Sequence, residues 1–203
     1  MKNFLLAVLL LLTPHLPAHA NGIDDLRAFV ASTQSGRADF TQAVFNVDGK
    51  ATQQASGTLI FQRPGKFRWE YVKPAQVIVG DGAKVWFFDK DLNQVTIRQL
   101  EKAFSSTPAA LLAGKSEIEA AFTLVAAADA DGMSWVNAEP KSKDAGIEQV
   151  RLGFAKGQLA AMELIDSFSN RTRISFGKFE RNAKVDAKTF TFAPPKGADV
   201  VSD

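Results

Sequence analysis

The chain has 203 residues, 46% of them hydrophobic and 23% charged, enough for one domain with a sizeable core. With 24 Lys+Arg against 22 Asp+Glu it lacks the basic excess of a nucleic-acid binder, so no nucleic-acid partner is expected. Zero cysteines exclude disulfides, a thiol nucleophile and thiolate metal sites.

Residues 1–20 read as a cleaved signal peptide. Lys2 is the positive end, Phe4 to Leu12 the short apolar stretch, and Ala18-His19-Ala20 the cleavage site, with Pro14 and Pro17 breaking any helix. The expected product is one exported, soluble domain, 21–203. No Cys follows the cut, so no lipid anchor is expected. Cleavage also removes His15 and His19, the only 2 histidines. Catalysis through a Ser-His-Asp triad or a histidine metal site is thereby excluded from the mature chain.

Asn21 to Gly36 predicts a helix. Ile23, Leu26 and Val30 share a face, Asn21 is the N-cap, Asp24 and Asp25 lie in the first turn, and Gly36 is the stop. Strands are then expected near 38–47, 52–62, 65–73, 76–80, 84–89, 93–98, 121–127, 132–138, 147–155, 158–168 and 171–180. Turn signals such as Pro64-Gly65, Asp81-Gly82, Asp131-Gly132 and Lys156-Gly157 separate them. Thr107 to Gly114 predicts a short helix with Thr107 as N-cap and Pro108 at its first position, and Glu117 to Ala121 a further turn. Thr189-Phe190-Thr191-Phe192 predicts a last short strand. The expected fold is mainly β: an antiparallel sheet of about eleven strands, curled into a sandwich or barrel, with the helices over an open face or mouth.

Alternation gives most strands one apolar face: Leu59 and Phe61; Phe67, Trp69 and Tyr71; Val95 and Ile97; Phe122 and Leu124; Met133 and Trp135; Val150, Leu152 and Phe154; Ile174 and Phe176. All are expected to point inward. Two readings of that interior stay open, an ordinary packed core or a hollow for an apolar ligand. On the second, the wall is Leu59, Phe61, Phe67, Trp69, Tyr71, Phe122, Trp135, Leu152 and Ile174. Arg63, ending a strand before Pro64, is either a solvated arginine or a donor that bonds carbonyls of the 108–114 helix and shuts the mouth.

Other motifs are weaker. Asp89, Asp91 and Asn93 open like a calcium loop, but Gln94 and Leu100 stand where Gly and Glu are needed. Ser175-x-x-Lys178 lies on a strand that points the two side chains apart. Glu70 and Glu163 are a carboxylate pair only by elimination, and a glycosidase on them is the weakest reading. A carrier or sensor of free lipids is the nearer alternative.

The chain resembles the LolA family of periplasmic outer-membrane lipoprotein carriers. The resemblance rests on Phe40-Thr41-Gln42, Gly57-x-Leu59, Arg63-Pro64-Gly65-x-Phe67-x-Trp69, Asp81-Gly82-x-x-Val85-Trp86, Thr107-Pro108, Gly157-x-Leu159 and Phe190-Thr191-Phe192-x-Pro194-Pro195. It implies an unclosed β-barrel with a helical lid over an apolar cavity, and no enzymatic activity. Arg63 then corresponds to the lid tether, Phe67 to an aromatic of cargo transfer, Trp69 to a cavity-wall aromatic, and Pro108, Ala109, Ala110, Leu111 and Leu112 to the lid. The implied partners are acylated lipoproteins, the inner-membrane ATP-binding-cassette exporter LolCDE and the outer-membrane receptor LolB. Contact with membrane proteins is expected to be transient, the protein a monomer, and no cofactor is implied.

Overall fold

The computed structural model describes residues 21–103, 108–114, 118–141 and 146–202. The signal-peptide region, Thr107 and Glu117 lie outside the described residues, as does the side chain of Ala110.

Helix α1 (Gly22–Ser32) follows Asn21, whose side chain accepts the Asp24 N–H at 3.0 Å. Leu26, Phe29 and Val30 form its buried face. The helix stops at Ser32, not at Gly36. Gly36 lies inside the next strand, opposite Phe61, where a Cβ would come within 2.6 Å of the Phe61 ring and 2.7 Å of Phe179. That glycine is needed for close packing of rings, not as a helix stop.

Six antiparallel strands follow: β1 (Ser35–Phe45), β2 (Ala51–Gln62), β3 (Lys66–Tyr71), β4 (Gln76–Asp81), β5 (Lys84–Asp89) and β6 (Gln94–Gln99). Three short helices interrupt the sheet: α2 (Leu100–Ala103), which the sequence reading lacked, α3 (Pro108–Ala113) and α4 (Ile118–Ala121). The chain resumes with β7 (Phe122–Ala130), β8 (Met133–Pro140), β9 (Ile147–Ala155), β10 (Gln158–Asp166), β11 (Arg171–Phe176), β12 (Glu180–Arg181) and β13 (Asp199–Ser202).

The spatial order is β13-β6-β5-β4-β3-β2-β1-β11-β10-β9-β8-β7, with β12 added on β1. Thirteen strands thus form one sheet where about eleven were expected. The two extra ones are short, and β13 joins β6 in parallel. Its edges, β13 and β7, do not pair, so the barrel is unclosed.

Two apolar faces result, not one. The main core holds Leu59, Phe61, Phe67, Trp69, Leu152 and Ile174, covered by Leu26 and Phe29 of α1 and by Ala109 and Leu112 of α3. A second cluster, Val77, Val79, Phe88 and Val95 with Trp86 and Ile97, lies on the opposite face of β4–β6. The C-terminal tail covers it. Phe192 packs 5.9 Å from Trp86 and 5.7 Å from Phe88, ring to ring. Val95 and Ile97 therefore do not face the main interior. The segment expected as a strand at 189–192 begins instead as the end of a 3-10 turn, Ala187–Phe190, capped by Asp186, and buries Phe190.

Candidate functional site

The site is built around the turn joining β2 to β3. Gly65 there has a positive φ of 73°, and a Cβ on it would come within 2.7 Å of Leu100. The turn directs Arg63 beneath the helices. Arg63 Nε donates to the carbonyl oxygen of Leu112 at 3.0 Å, and Nη1 donates to those of Val30 at 2.8 Å and Thr33 at 2.9 Å. One guanidinium thus ties the C-terminal end of α1 to α3. Placed there, a cation also offsets the negative end of the α1 dipole. It lies 5.6 Å from the ring centres of both Phe29 and Phe61. Burial lowers its pKa from 12.5 to about 10, so it stays a cation at neutral pH and its bonds are charge-assisted. The Gly65 N–H donates to Ala113 O at 2.7 Å, a second tie to α3. The sequence pointed to the bond from Arg63 to the helix. It held no signal for the α1 carbonyls, because a backbone oxygen has no residue-type signature.

Eight of the nine expected wall residues come together. Leu59, Phe61, Phe67, Trp69, Leu152 and Ile174 are buried in the main core, and Tyr71 and Phe122 pack against it half-buried. The Tyr71 hydroxyl donates to Gln42 Oε1 at 3.0 Å. Burial pushes its pKa up to about 12, despite opposing contacts with Trp69 and Gln42. Trp135 is the exception. It is buried on the opposite face of β8, directly across from Gly153, with Arg151 4.8 Å above its ring and its indole N–H bonded to Ala130 O at 3.1 Å. Its neighbour Val136, paired with Leu152, is the residue that faces the core. Trp135 and Val136 are both apolar, so alternation alone did not tell which faced in.

Of the residues expected to form a lid, Ala109 and Leu112 are buried, Leu111 packs half-buried against the core and Pro108 is half-buried. A further tie was absent from the sequence reading: Arg27 of α1 bonds Glu119 of α4 at 2.6 Å, an exposed pair, while Lys141 Nζ donates to Glu119 O at 2.8 Å.

Among the described residues, the space beneath the helices is narrow. Among Leu26, Phe29, Arg63, Leu112 and Leu152 only about 10 Å³ is free. Leu26 and Phe29 of α1 and Leu112 of α3 pack against the concave wall. Space exists at the mouth, where Pro64, Gly65, Leu100, Leu111, Ile118 and Phe122 line an apolar cavity of about 440 Å³, a size in the range of small-molecule pockets. A larger groove of about 560 Å³ is lined by polar side chains including Thr41, Gln54, Ser56 and Lys73.

The carboxylates considered for catalysis are engaged elsewhere. Glu163 is buried, 2.8 Å from Arg151 and 3.6 Å from Arg173. Glu70 pairs with Arg68. Asp89 accepts the N–H groups of Asp91 and Leu92, as a residue capping a turn does. Among the described residues no helix is long and apolar enough to cross a membrane.

Residues 31–193 match the family described as outer membrane lipoprotein carrier protein LolA. The chain is 52% identical over 189 residues to an outer-membrane lipoprotein carrier protein of Dechloromonas aromatica, covering 93% of this chain and 91% of that one. It is 47% identical over 185 residues to the protein of the same description in Methylobacillus flagellatus, covering 91% and 90%. Among solved structures, the fold is similar to a LolA-superfamily protein of Nitrosomonas europaea, with a TM-score of 0.50 at 9% identity over 85% of this chain and 98% of that one.

Proposed function

The chain belongs to the LolA family of outer-membrane lipoprotein carriers, and we propose from that premise how it holds and passes on its cargo. A lipid tail gains about 0.8 kcal/mol per CH₂ buried, so a sixteen-carbon chain is worth on the order of 13 kcal/mol and an acylated protein does not diffuse freely through water. The carrier acts in the periplasm after removal of residues 1–20. It offers the acyl chains the wall of Leu59, Phe61, Phe67, Trp69 and Leu152, which α1 and α3 cover when cargo is absent. Loading displaces the helices, and the tails take the place of Phe29, Leu112 and their neighbours. The role is physical transfer, with no covalent step.

The observation that carries this reading is the Arg63 bridge: one half-buried cation spans Leu112 O on α3 and Val30 O and Thr33 O on α1. Such a contact is strong enough to hold a cover and weak enough to yield to an acyl chain. Phe67 and Trp69 serve as wall aromatics. LolCDE supplies loading energy on the inner-membrane side, and LolB accepts the cargo at the outer membrane. The test is release of newly made lipoproteins from spheroplasts by the purified mature protein. Soluble lipoprotein–carrier complexes are expected, and lipoproteins left on the spheroplast membrane would overturn the proposal.

A further inference from the structure

The concave wall contains one polar atom with no hydrogen-bond partner among the described residues. Trp69 is fully buried, and its indole Nε1–H has no hydrogen-bond partner among the described residues. Around it the wall is aromatic. Phe40 lies 4.3 Å from the Trp69 ring and Phe176 6.5 Å, centre to centre. The nearest polar groups belong to Tyr71 and Gln42. The Trp69 indole lies close enough to the Tyr71 hydroxyl oxygen to lower the Tyr71 pKa, and the hydroxyl proton goes to Gln42 Oε1. The indole N–H and the Tyr71 oxygen nevertheless do not meet in hydrogen-bond geometry.

Gln42 faces the same way, since it stands across from Ile174 of the core on one side and Ala55 on the other. Trp69, Tyr71 and Gln42 thus make a small polar patch at the edge of the hydrocarbon wall, where Gln42 also lines the polar groove. With the Gln42 oxygen already taken by Tyr71, the patch presents donors, Trp69 Nε1–H and the Gln42 amide. Plain hydrocarbon cannot satisfy them, and a buried donor without a partner is unfavourable. The chemistry that matches is an oxygen acceptor carried into an apolar site, as the carbonyl of an acyl ester or amide is.

We propose that the Trp69 indole N–H is a hydrogen-bond donor to an acyl carbonyl of the bound cargo, so that the wall distinguishes ester-linked acyl chains from hydrocarbon chains of the same length. This rests on the proposed use of the concave wall for acyl chains. It adds a polar contact at Trp69, supported by the Tyr71–Gln42 pair. The donor fixes where along the wall the carbonyl end of a chain sits. It also favours the loaded state, because the empty closed state leaves that N–H unpaired.

The test compares a diacylglycerol with the dialkyl ether of the same chain length, in direct binding to the mature protein. The wild type is expected to prefer the ester by about three- to tenfold, the range of one neutral hydrogen bond. Trp69→Phe is expected to bind ester and ether alike, whatever its affinity for either lipid. A wild type that binds ester and ether equally, or a Trp69→Phe variant that retains the preference, overturns the inference while the lipid-carrier reading stands. Absence of binding to either lipid would instead count against that reading. As a measurement that needs no variant, the Trp69 indole proton resonance is expected to move downfield with the ester lipid alone. An identical shift with both lipids would refute the contact.

Discussion

Replacing Arg63 by leucine removes the bond to Leu112 O, both bonds to α1 and the contacts with Phe29 and Phe61. The lid side of the bridge loses one charged-donor hydrogen bond, worth about 1.5–3 kcal/mol. At 1.4 kcal/mol per decade, the closed state is disfavoured by about ten- to hundredfold. The sheet itself should persist, since its ladders and the rest of the core are untouched. A protein that must open before it binds has its apparent affinity reduced by the fraction open. Relieving that reduction strengthens cargo binding by up to the same factor, and with it slows release. Arg63→Leu is therefore expected to fold and to accept lipoprotein, but to transfer it poorly to LolB.

Two assays separate the steps. The Gly65 amide, bonded to Ala113 O at 2.7 Å, reports undocking of α3 by hydrogen exchange and should exchange faster in the variant. Transfer of loaded lipoprotein to LolB-bearing liposomes reports release. Unchanged Gly65 exchange together with normal transfer would refute the reasoning. Arg63→Lys keeps the charge but not the two-sided reach of the guanidinium, so it should fall between the two.

Other expectations follow from particular contacts. Trp135→Ala should destabilise the fold by about 3–5 kcal/mol in urea denaturation, yet leave lipid affinity unchanged, because Trp135 lies on the opposite face from the wall. Weakened lipid binding at unchanged fold would contradict that placement. Asp81 accepts the N–H groups of Ala83 and Lys84 and the Trp86 indole. Burial alone would raise its pKa, but these bonds and the Lys84 charge hold it below 3.8. A carboxylate with a depressed folded pKa stabilises above its unfolded value and loses that contribution as pH falls through the folded one. Thermal stability should accordingly decline below about pH 4, less steeply in Asp81→Asn, and equal slopes would dismiss the role of Asp81. Arg27→Ala should cost under about 1 kcal/mol, and 1 M salt should remove the difference, because the Arg27–Glu119 pair is exposed.

Much of the fold was legible in local pattern. Asn21 with Asp24 and Asp25 marks the start of α1, Pro108 the start of α3, and the Pro64-Gly65 and Asp81-Gly82 pairs mark turns that the structure contains. These signals are short-range and chemical, so they survive without knowledge of the rest of the chain. Arg63 was legible because a cation at the end of a strand, beside aromatic residues and a proline, is an unusual placement. Less local features were not. Gly36 resembles a helix stop, but its role depends on Phe61 and Phe179, distant in sequence. The parallel pairing of β13 with β6 depends on where the tail returns, which no local pattern records.

By itself, the sequence determined the eleven longer strands, their two faces and the turns between them, because backbone alternation and proline and glycine geometry act over a few residues. Only the tertiary structure decided which face became the inner one, as Val95, Ile97 and Trp135 show, since that follows from how the whole sheet coils and where the tail packs. It also decided that α1 and α3 cover the concave wall, because Arg63 reaches three carbonyls brought together from separate parts of the chain.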